Sequence, residues 1–365
     1  MHVGLVKRGT TGQDRTMTSL PLSPIAPMLA KAVPTLPEPD SLPGGLAYEP
    51  KWDGFRGIVM YDGDTVEITS RGSKPLTRYF PELVDAFRRI LPEPCILDGE
   101  IVVRSGGAGR ERLDWDALSQ RIHPAESRIR SLAEATPASF VAFDLIGRGL
   151  RRLGDLPFAQ RRASLVDLLG HGVAPIHVTR LTLDVTEATR WLGEFEGAGL
   201  DGIVAKPLAS PYSPGKRIML KVKHHRTADV VVTGYRVHAS GQGVGSLLLG
   251  LYAGEELKAV GGASAFTMAR RRQLLTELEP VVMRSENGDA ITGEGEKSRF
   301  SSGKDSSFVR LEPTVVAEVR YDQMEGSRFR HTVQFERWRP DRDADSCTFD
   351  QLESVASYDL GDVLL

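Results

Sequence analysis

Residues 48–56 read YEPKWDGFR, and the reading of the fold turns on the text that follows them. FRGIVMY (55–61) sets apolar residues in alternation, DGD (62–64) is turn text, and TVEITSR (65–71) alternates again. Period and turn chemistry together predict an antiparallel hairpin. Lys51 stands on the loop just ahead of it, where Pro50 stiffens the approach and Gly54 lets the backbone turn back. An amine held there, beside Asp53 and near Arg56, is placed to act as a nucleophile. It must be neutral to attack, and neighbouring cations that lower its pKa favour that form. Lys221 and Lys223 are the candidates, since a strand's period of two turns both to one face. Taken singly, each of these lysines reads as a surface charge.

Outward from the hairpin, YFPELVDAFRRIL (79–91) has helical spacing with Pro81 near its start. CILDGEIVVR and SFVAFDLI read as strands; DWDALSQRI, ESRIRSLAEA, PFAQRRASLVDLLG and TEATRWLGEFEGAG read as helices; GIVAKP and IMLKVKH read as strands again. This irregular alternation is α+β over residues 20–224. Beyond Ala228 the texture changes. ADVVVTGYRV, GSLLLGLYA, ELKAVGG and TVVAEVRY are short strands parted by Gly-rich turns, with one helix, TMARRRQLLTELEPVV, among them. That pattern suits a small Greek-key barrel of the oligonucleotide-binding (OB) type over residues 225–343. Residues 1–19 read as a disordered leader, 284–307 as a polar mobile loop and 344–365 as an acidic C-terminal tail.

Composition sets limits. The 365 residues allow two domains, and no run of about 18 apolar residues exists to span a membrane. Two cysteines, Cys95 and Cys347, exclude a disulfide scaffold and a Cys-rich zinc site and fit a reducing cytoplasm. The net charge of −2 argues against nucleic acid, yet residues 202–228 hold Lys206, Lys216, Arg217, Lys221, Lys223 and Arg226 and no acid. Such a stretch can meet phosphates, or it can be a solvated face. The chain has 11 lysines against 35 arginines and none between Lys74 and Lys206. Lysine at 51, 206, 221 and 223 is therefore a choice of amine over guanidinium, and only an amine can lose its proton and attack.

Further residues stand out more weakly. Asp98 and Glu100 interrupt the strand LDGEIVV, where charge is costly unless paired or ligating a cation; for Asp98 a turn cap is the favoured reading. Phe143 reads as core or as a platform for a base ring. Asp201 is a metal carboxylate or a turn former.

Order and spacing bind these items together. Lys51-Trp52-Asp53-Gly54, Ser70-Arg71-Gly72, Asp98-Gly99-Glu100, Phe143-Asp144, Asp201 to Lys206 (DGIVAK) and Leu220 to Lys223 (LKVK) occur in the sequence expected of one family. From about residue 24 to 343 the chain resembles the covalent nucleotidyltransferases, and within them the ATP-dependent DNA ligases, most of all the small C-type ligases of actinobacteria. The resemblance implies an ATP-grasp-like nucleotidyltransferase domain followed by an OB-fold barrel. It implies that Lys51 attacks ATP, that AMP passes to a 5′-phosphate, and that a 3′-hydroxyl then seals the nick. Glu49 would meet adenine through backbone or side chain while Phe143 stacks on it; Arg56 and Glu100 would hold the ribose region. Arg71 would engage the 5′-phosphate, and Arg217, Lys221 and Lys223 the nucleotide phosphates. Arg339, Asp341 and Arg342, in RPDR (339–342), would orient the departing pyrophosphate. Glu100 and Asp201 would place a divalent cation, Mg2+ or Mn2+. Two departures stand out: Asp201 replaces the family's usual glutamate, and Arg342 its usual lysine.

The same resemblance implies nicked duplex DNA as partner, with repair polymerases beside it, and a monomer in the cytoplasm at the bacterial nucleoid. An RNA ligase or RNA-capping nucleotidyltransferase is the rival within the superfamily, and a non-catalytic oligonucleotide-binding module the rival outside it. An NAD-dependent ligase would need an extra domain before the lysine and a four-cysteine zinc module.

Overall fold

A computed structural model describes residues 24–107, 109–170, 172–224, 226–294, 306–352 and 357–364. The leader expected over 1–19, and positions 295–305 of the polar loop, lie outside the described residues. The chain divides into two compact units after Lys223, and it returns to the first unit beyond Ser354.

The first unit is built on two sheets. Phe55–Tyr61 and Val66–Ser70 form the antiparallel hairpin, with Tyr61 opposite Val66. They continue into a larger sheet through Cys95–Ser105, Ala138–Arg148 and Ile176–Val178. Pro81–Ile90 and Phe158–Leu169 cover one face of it. The first of these helices buries Leu83, Ala86 and Phe87, at the spacing of one helical face. Phe87 meets Phe140 edge-on at 5.2 Å within the core. The helix starts at Pro81 rather than Tyr79, because proline's missing N–H costs nothing in the first turn.

The second sheet runs Leu29–Ala32, Arg217–Val222, Ile203–Pro207, Leu46–Pro50. Its alternation separates two environments. Leu46, Tyr48, Ile203 and Ala205 join a core with Trp191 and Phe195. Glu49, Val204, Lys206, Met219 and Lys221 instead line a cavity of about 990 Å3, whose opposite wall comes from Phe55, Arg56, Glu100 and Phe143 of the larger sheet. Two glycines permit the close approaches this needs. A Cβ at Gly54 would lie 2.1 Å from the Ile101 carbonyl oxygen, and one at Gly202 (φ +143°) would lie 2.0 Å from that of Val222.

Asp98 is not a turn cap. It sits inside Cys95–Ser105, buried, and accepts hydrogen bonds from Arg56 Nε (2.5 Å) and Nη2 (2.6 Å) and from the Tyr212 hydroxyl (2.7 Å). A strand tolerates the charge because these partners satisfy it. A second buried pair, Arg161 with Asp144, is bidentate at 2.8 Å, and Arg161 also donates to the carbonyls of Leu156 and Ser210. Arg161→Met should destabilise the first unit by about 3–5 kcal/mol, since it strands a buried carboxylate, whereas Arg161→Met with Asp144→Leu should recover most of that. Urea unfolding of the variants checks this; equal midpoints for wild type and Arg161→Met would mean that the pair contributes nothing.

In the second unit Arg226–Val237 pairs with Val244–Ala253, and that strand pairs with Glu256–Ala263. On its other edge Arg226–Val237 pairs with Val316–Tyr321, which pairs with Gln334–Trp338. A parallel bridge from Val333 to Ala263 completes the circuit. Five strands and the helix Met268–Leu278 thus give the OB arrangement. Additional short strands, Thr292–Glu294 and Ser307–Arg310, extend it. The segment 344–365 is acidic, and its described residues, 344–352 and 357–364, pack into the two units. Cys347 is buried in the second unit's core, whereas Leu360, Val363 and Leu364 are buried in the first unit's.

Candidate active site

The end of Leu46–Pro50 delivers Lys51 to the cavity mouth. Backbone bonds from Lys51 N to Gly202 O (2.8 Å) and from Asp201 N to Lys51 O (3.2 Å) tie its loop to the loop ahead of Ile203–Pro207. Trp52 anchors the next residue by donating from Nε1 to Thr179 Oγ1 at 2.8 Å. The Lys51 ammonium lies 2.8 Å from Asp201 Oδ1, and the Lys223 ammonium lies 2.9 Å from Oδ2. Asp201 is buried. Burial pushes its carboxyl up, but Lys51 and Lys223 outweigh that and hold it below the ordinary carboxylate range. The Lys51 contact is an ion pair of poor direction, so Oδ1 receives no proper hydrogen bond.

Lys221 and Lys223 do not share one position. Lys221 lines the cavity, while Lys223 follows the strand's last residue, Val222, and turns to Asp201. Burial and then the charges of Lys51 and Lys223 push the Lys221 amine down. Two ammonium groups on one carboxylate, with Lys221 beside them on the cavity wall, carry a net positive charge that attracts anions.

Deeper in, Arg56 and Lys206 both approach the Phe143 ring, at 4.5 and 4.7 Å from its centroid. Lys206 is buried, donates to the Phe143 carbonyl at 3.0 Å and pairs with Glu49 Oε2 at 2.6 Å. Glu49 Oε1 has no hydrogen-bond donor among the described residues, and Arg162 lies 3.9 Å from it. Burial pushes the Glu49 carboxyl up, with Lys206 and Arg162 opposing. Glu100 accepts from Gly54 N–H at 3.2 Å, and burial raises its carboxyl to about 7.

The cavity gathers Glu49, Lys51, Arg56, Arg71, Glu100, Phe143 and Lys221 among the expected residues. Asp201 and Lys223 reach it through Lys51. Arg217 is exposed at the start of its strand and does not line it. Arg339, Asp341 and Arg342 belong to the second unit, where Arg339 donates to both Asp229 oxygens (2.9 and 3.0 Å) and to Asp341. Arg342 Nε lies 3.5 Å from Asp229.

Arg162 and Asp229 escaped the sequence reading, and Lys206, marked there as an amine within a basic stretch, was given no role in the site. Lys206 in IVAKP and Asp229 in ADVVV were visible as charges inside apolar strands; nothing in the sequence marked Arg162. No group of three or more metal-binding side chains occurs among the described residues, and no helix among them is long and apolar enough to cross a membrane.

Comparison with known proteins gives a consistent result. Residues 27–223 match the family model of the ATP dependent DNA ligase domain, and residues 240–342 that of the ATP dependent DNA ligase C terminal region. DNA ligase C of Mycobacterium tuberculosis is 53% identical over 359 residues, covering 94% of this chain and 98% of that protein. DNA ligase C1 of Mycolicibacterium smegmatis is 54% identical, covering 93% and 97%. Among solved structures, one from a structure–function study of Lig E DNA ligases aligns with a TM-score of 0.54 at 16% identity, over 86% of this chain and all of that one. That last likeness speaks for the fold alone.

Proposed function

The chain belongs to the ATP-dependent DNA ligases, and from that premise we propose how its residues divide the work of sealing a nick. Lys51 in its neutral form attacks the α-phosphorus of ATP. A nitrogen–phosphorus bond forms, the bond to pyrophosphate breaks, and the amine gives up its proton; Asp201 Oδ1, at 2.8 Å, is a neighbouring acceptor. A 5′-phosphate oxygen of the nick then takes the AMP and frees Lys51. Finally the 3′-hydroxyl attacks that 5′-phosphorus, and AMP leaves.

Phe143 and Glu49 receive adenine, and Arg56 and Glu100 the ribose region. Arg71 receives the 5′-phosphate, while Lys221, Lys223 and Arg217 hold nucleotide phosphates. Arg339, Asp341 and Arg342 serve the step in which pyrophosphate leaves. The family implies a divalent cation, and Glu100 and Asp201 are two carboxylates that this end of the site offers it. Asp201 Oδ1 is buried without a well-directed donor, and the Glu100 carboxyl faces the cavity. These two carboxylates would hold Mg2+ or Mn2+, which would screen charge on the transferring phosphate. On this reading the protein acts as a monomer at nicks left by repair polymerases.

The observation that carries this reading is Lys51 on the wall of a cavity large enough for a nucleotide, with Asp201 between it and Lys223. Incubation with α-labelled ATP should give a covalent adduct, which chases into nicked duplex DNA; labelled GTP should give none. An adduct with GTP and none with ATP would favour a capping nucleotidyltransferase. A chase into nicked RNA in preference to DNA would favour an RNA ligase.

Asp201→Ala removes the carboxylate shared by two ammonium groups and one of the two cation-placing acids. Adduct formation should slow by roughly 10²-fold and need more metal, the usual scale for one electrostatic group at a phosphoryl centre. Asp201→Glu should stay close to wild type. A titration of Mg2+ on both variants decides; a silent alanine would leave Asp201 as a turn residue.

A further inference from the structure

The chain leaves the first unit for the second after Lys223 and returns to the first beyond Ser354. There Leu360 N donates to the Glu111 carbonyl at 2.9 Å, and Glu111 N–H donates to Asp359 Oδ2 at 3.1 Å. The same carboxylate's Oδ1 caps the short helix Leu360–Val363 by accepting from Gly361 N–H at 2.7 Å. Leu360 and Val363 are fully buried and Leu364 nearly so, in the core that holds Trp191, Phe195 and Trp52. Tyr358 packs on Phe195 at 5.2 Å between ring centroids, and Phe195 stacks on Trp191 at 5.4 Å. Reciprocal backbone bonds, a cap and three buried apolar side chains make a seated segment rather than a chain end lying on a surface.

We propose that residues 357–364 are a clip, an intramolecular docking segment that fastens the second unit to the first independently of the Lys223–His224 connection. A unit joined through one peptide connection can turn about it freely. A unit whose other end is also seated has a second fixed point, and its effective concentration near the first unit no longer depends on one connection. The docking face is apolar and includes Trp52, the neighbour of Lys51, so seating the clip also completes the core beneath the nucleophile loop.

The test uses the full chain with a protease recognition sequence inserted after His224. After complete cutting, the two pieces at tens of micromolar should elute together from a sizing column. With Leu360→Asp and Val363→Asp added, the cut pieces should separate. Separation of the otherwise unaltered pieces would overturn the clip, and so would co-elution of the doubly substituted ones. Should those two substitutions unfold the first unit, Asp359→Ala removes only the cap and the bond to Glu111. It should then shift the cut pieces toward separation on dilution and raise hydrogen exchange at Leu360 and Leu364; exchange equal to the parent's would count against the clip. None of these readouts depends on ligase activity, so they stand apart from the functional assignment above.

Discussion

Lys51→Arg should give no detectable adduct with ATP, and Lys51→Ala likewise, with the folded state kept in both. The alanine variant simply lacks a nucleophile. The arginine variant keeps the charge beside Asp201 but not the reactivity. A guanidinium is deprotonated in about one molecule in 10⁵ or fewer near neutral pH, and its delocalised nitrogen is a poor nucleophile even then. The loss should therefore reach about 10⁵-fold or more. Little stability should go with it, because the Lys51 side chain is partly exposed on a loop and Asp201 keeps Lys223. Adduct formation, followed by mass or by label, and thermal unfolding of the same preparations check both halves. Sealing of a nick that already carries 5′-AMP is the informative third measurement. It needs no lysine adduct, so both variants should retain it within about tenfold. An adduct at wild-type level in either variant would remove Lys51 from the nucleophile's place.

The place of Lys51 on a loop before a hairpin was legible in the sequence because it is a local feature, whereas its role as nucleophile came from the order and spacing of motifs that resemble those of one family. The hairpin, the strands on either side of DGE and FD, and the barrel texture beyond Ala228 were legible for the same reason: period and turn chemistry act over a few residues. Pairings across long separations were not. Asp98 looked like a turn cap because an acid in a strand is unfavourable alone, and nothing local announces Arg56, 42 residues away, or Tyr212, 114 away. Lys221 and Lys223 looked alike by strand parity. The strand ends at Val222, however, and the attraction of Asp201 decides where Lys223 points. Lys206 was read within a basic stretch, as a phosphate contact or a solvated charge. Only the fold reveals it as a buried cation shared by Glu49 and the Phe143 carbonyl. The last residues read as an acidic tail because their acids are numerous, whereas Leu360, Val363 and Leu364 decide where they sit. A few apolar side chains outweigh several charges that remain at the surface.

Arg339→Ala should cut adduct formation by about 10²–10³-fold, the scale for one preorganised group at a developing charge, while sealing of nicks already carrying 5′-AMP falls by no more than about threefold. The sequence reading assigned Arg339, Asp341 and Arg342 to the departing pyrophosphate, and their geometry adds a reason for fixed orientation. Arg339 spends its fork on two carboxylates at once, Asp229 through Nη1 and Asp341 through Nε and Nη2. The hydrogen bonds from Arg339 hold the Asp341 carboxyl down at about 2, so Asp341 keeps its charge throughout any usable pH range. Its contribution to adduct formation should accordingly show no pH dependence of its own between about pH 5 and 9. Positioning of a leaving group matters only while that group is present. Pyrophosphate leaves in the first step alone; in the last step AMP leaves from DNA. Arg339→Lys should fall between wild type and alanine, since an ammonium keeps the charge but cannot bridge both carboxylates in one plane. Loss of Arg339 leaves Asp229 with Arg342, so the second unit should remain folded, and its thermal transition checks that. Equal losses in adduct formation and in sealing would place Arg339 in DNA binding or in the fold. Loss confined to adduct formation would place it with pyrophosphate.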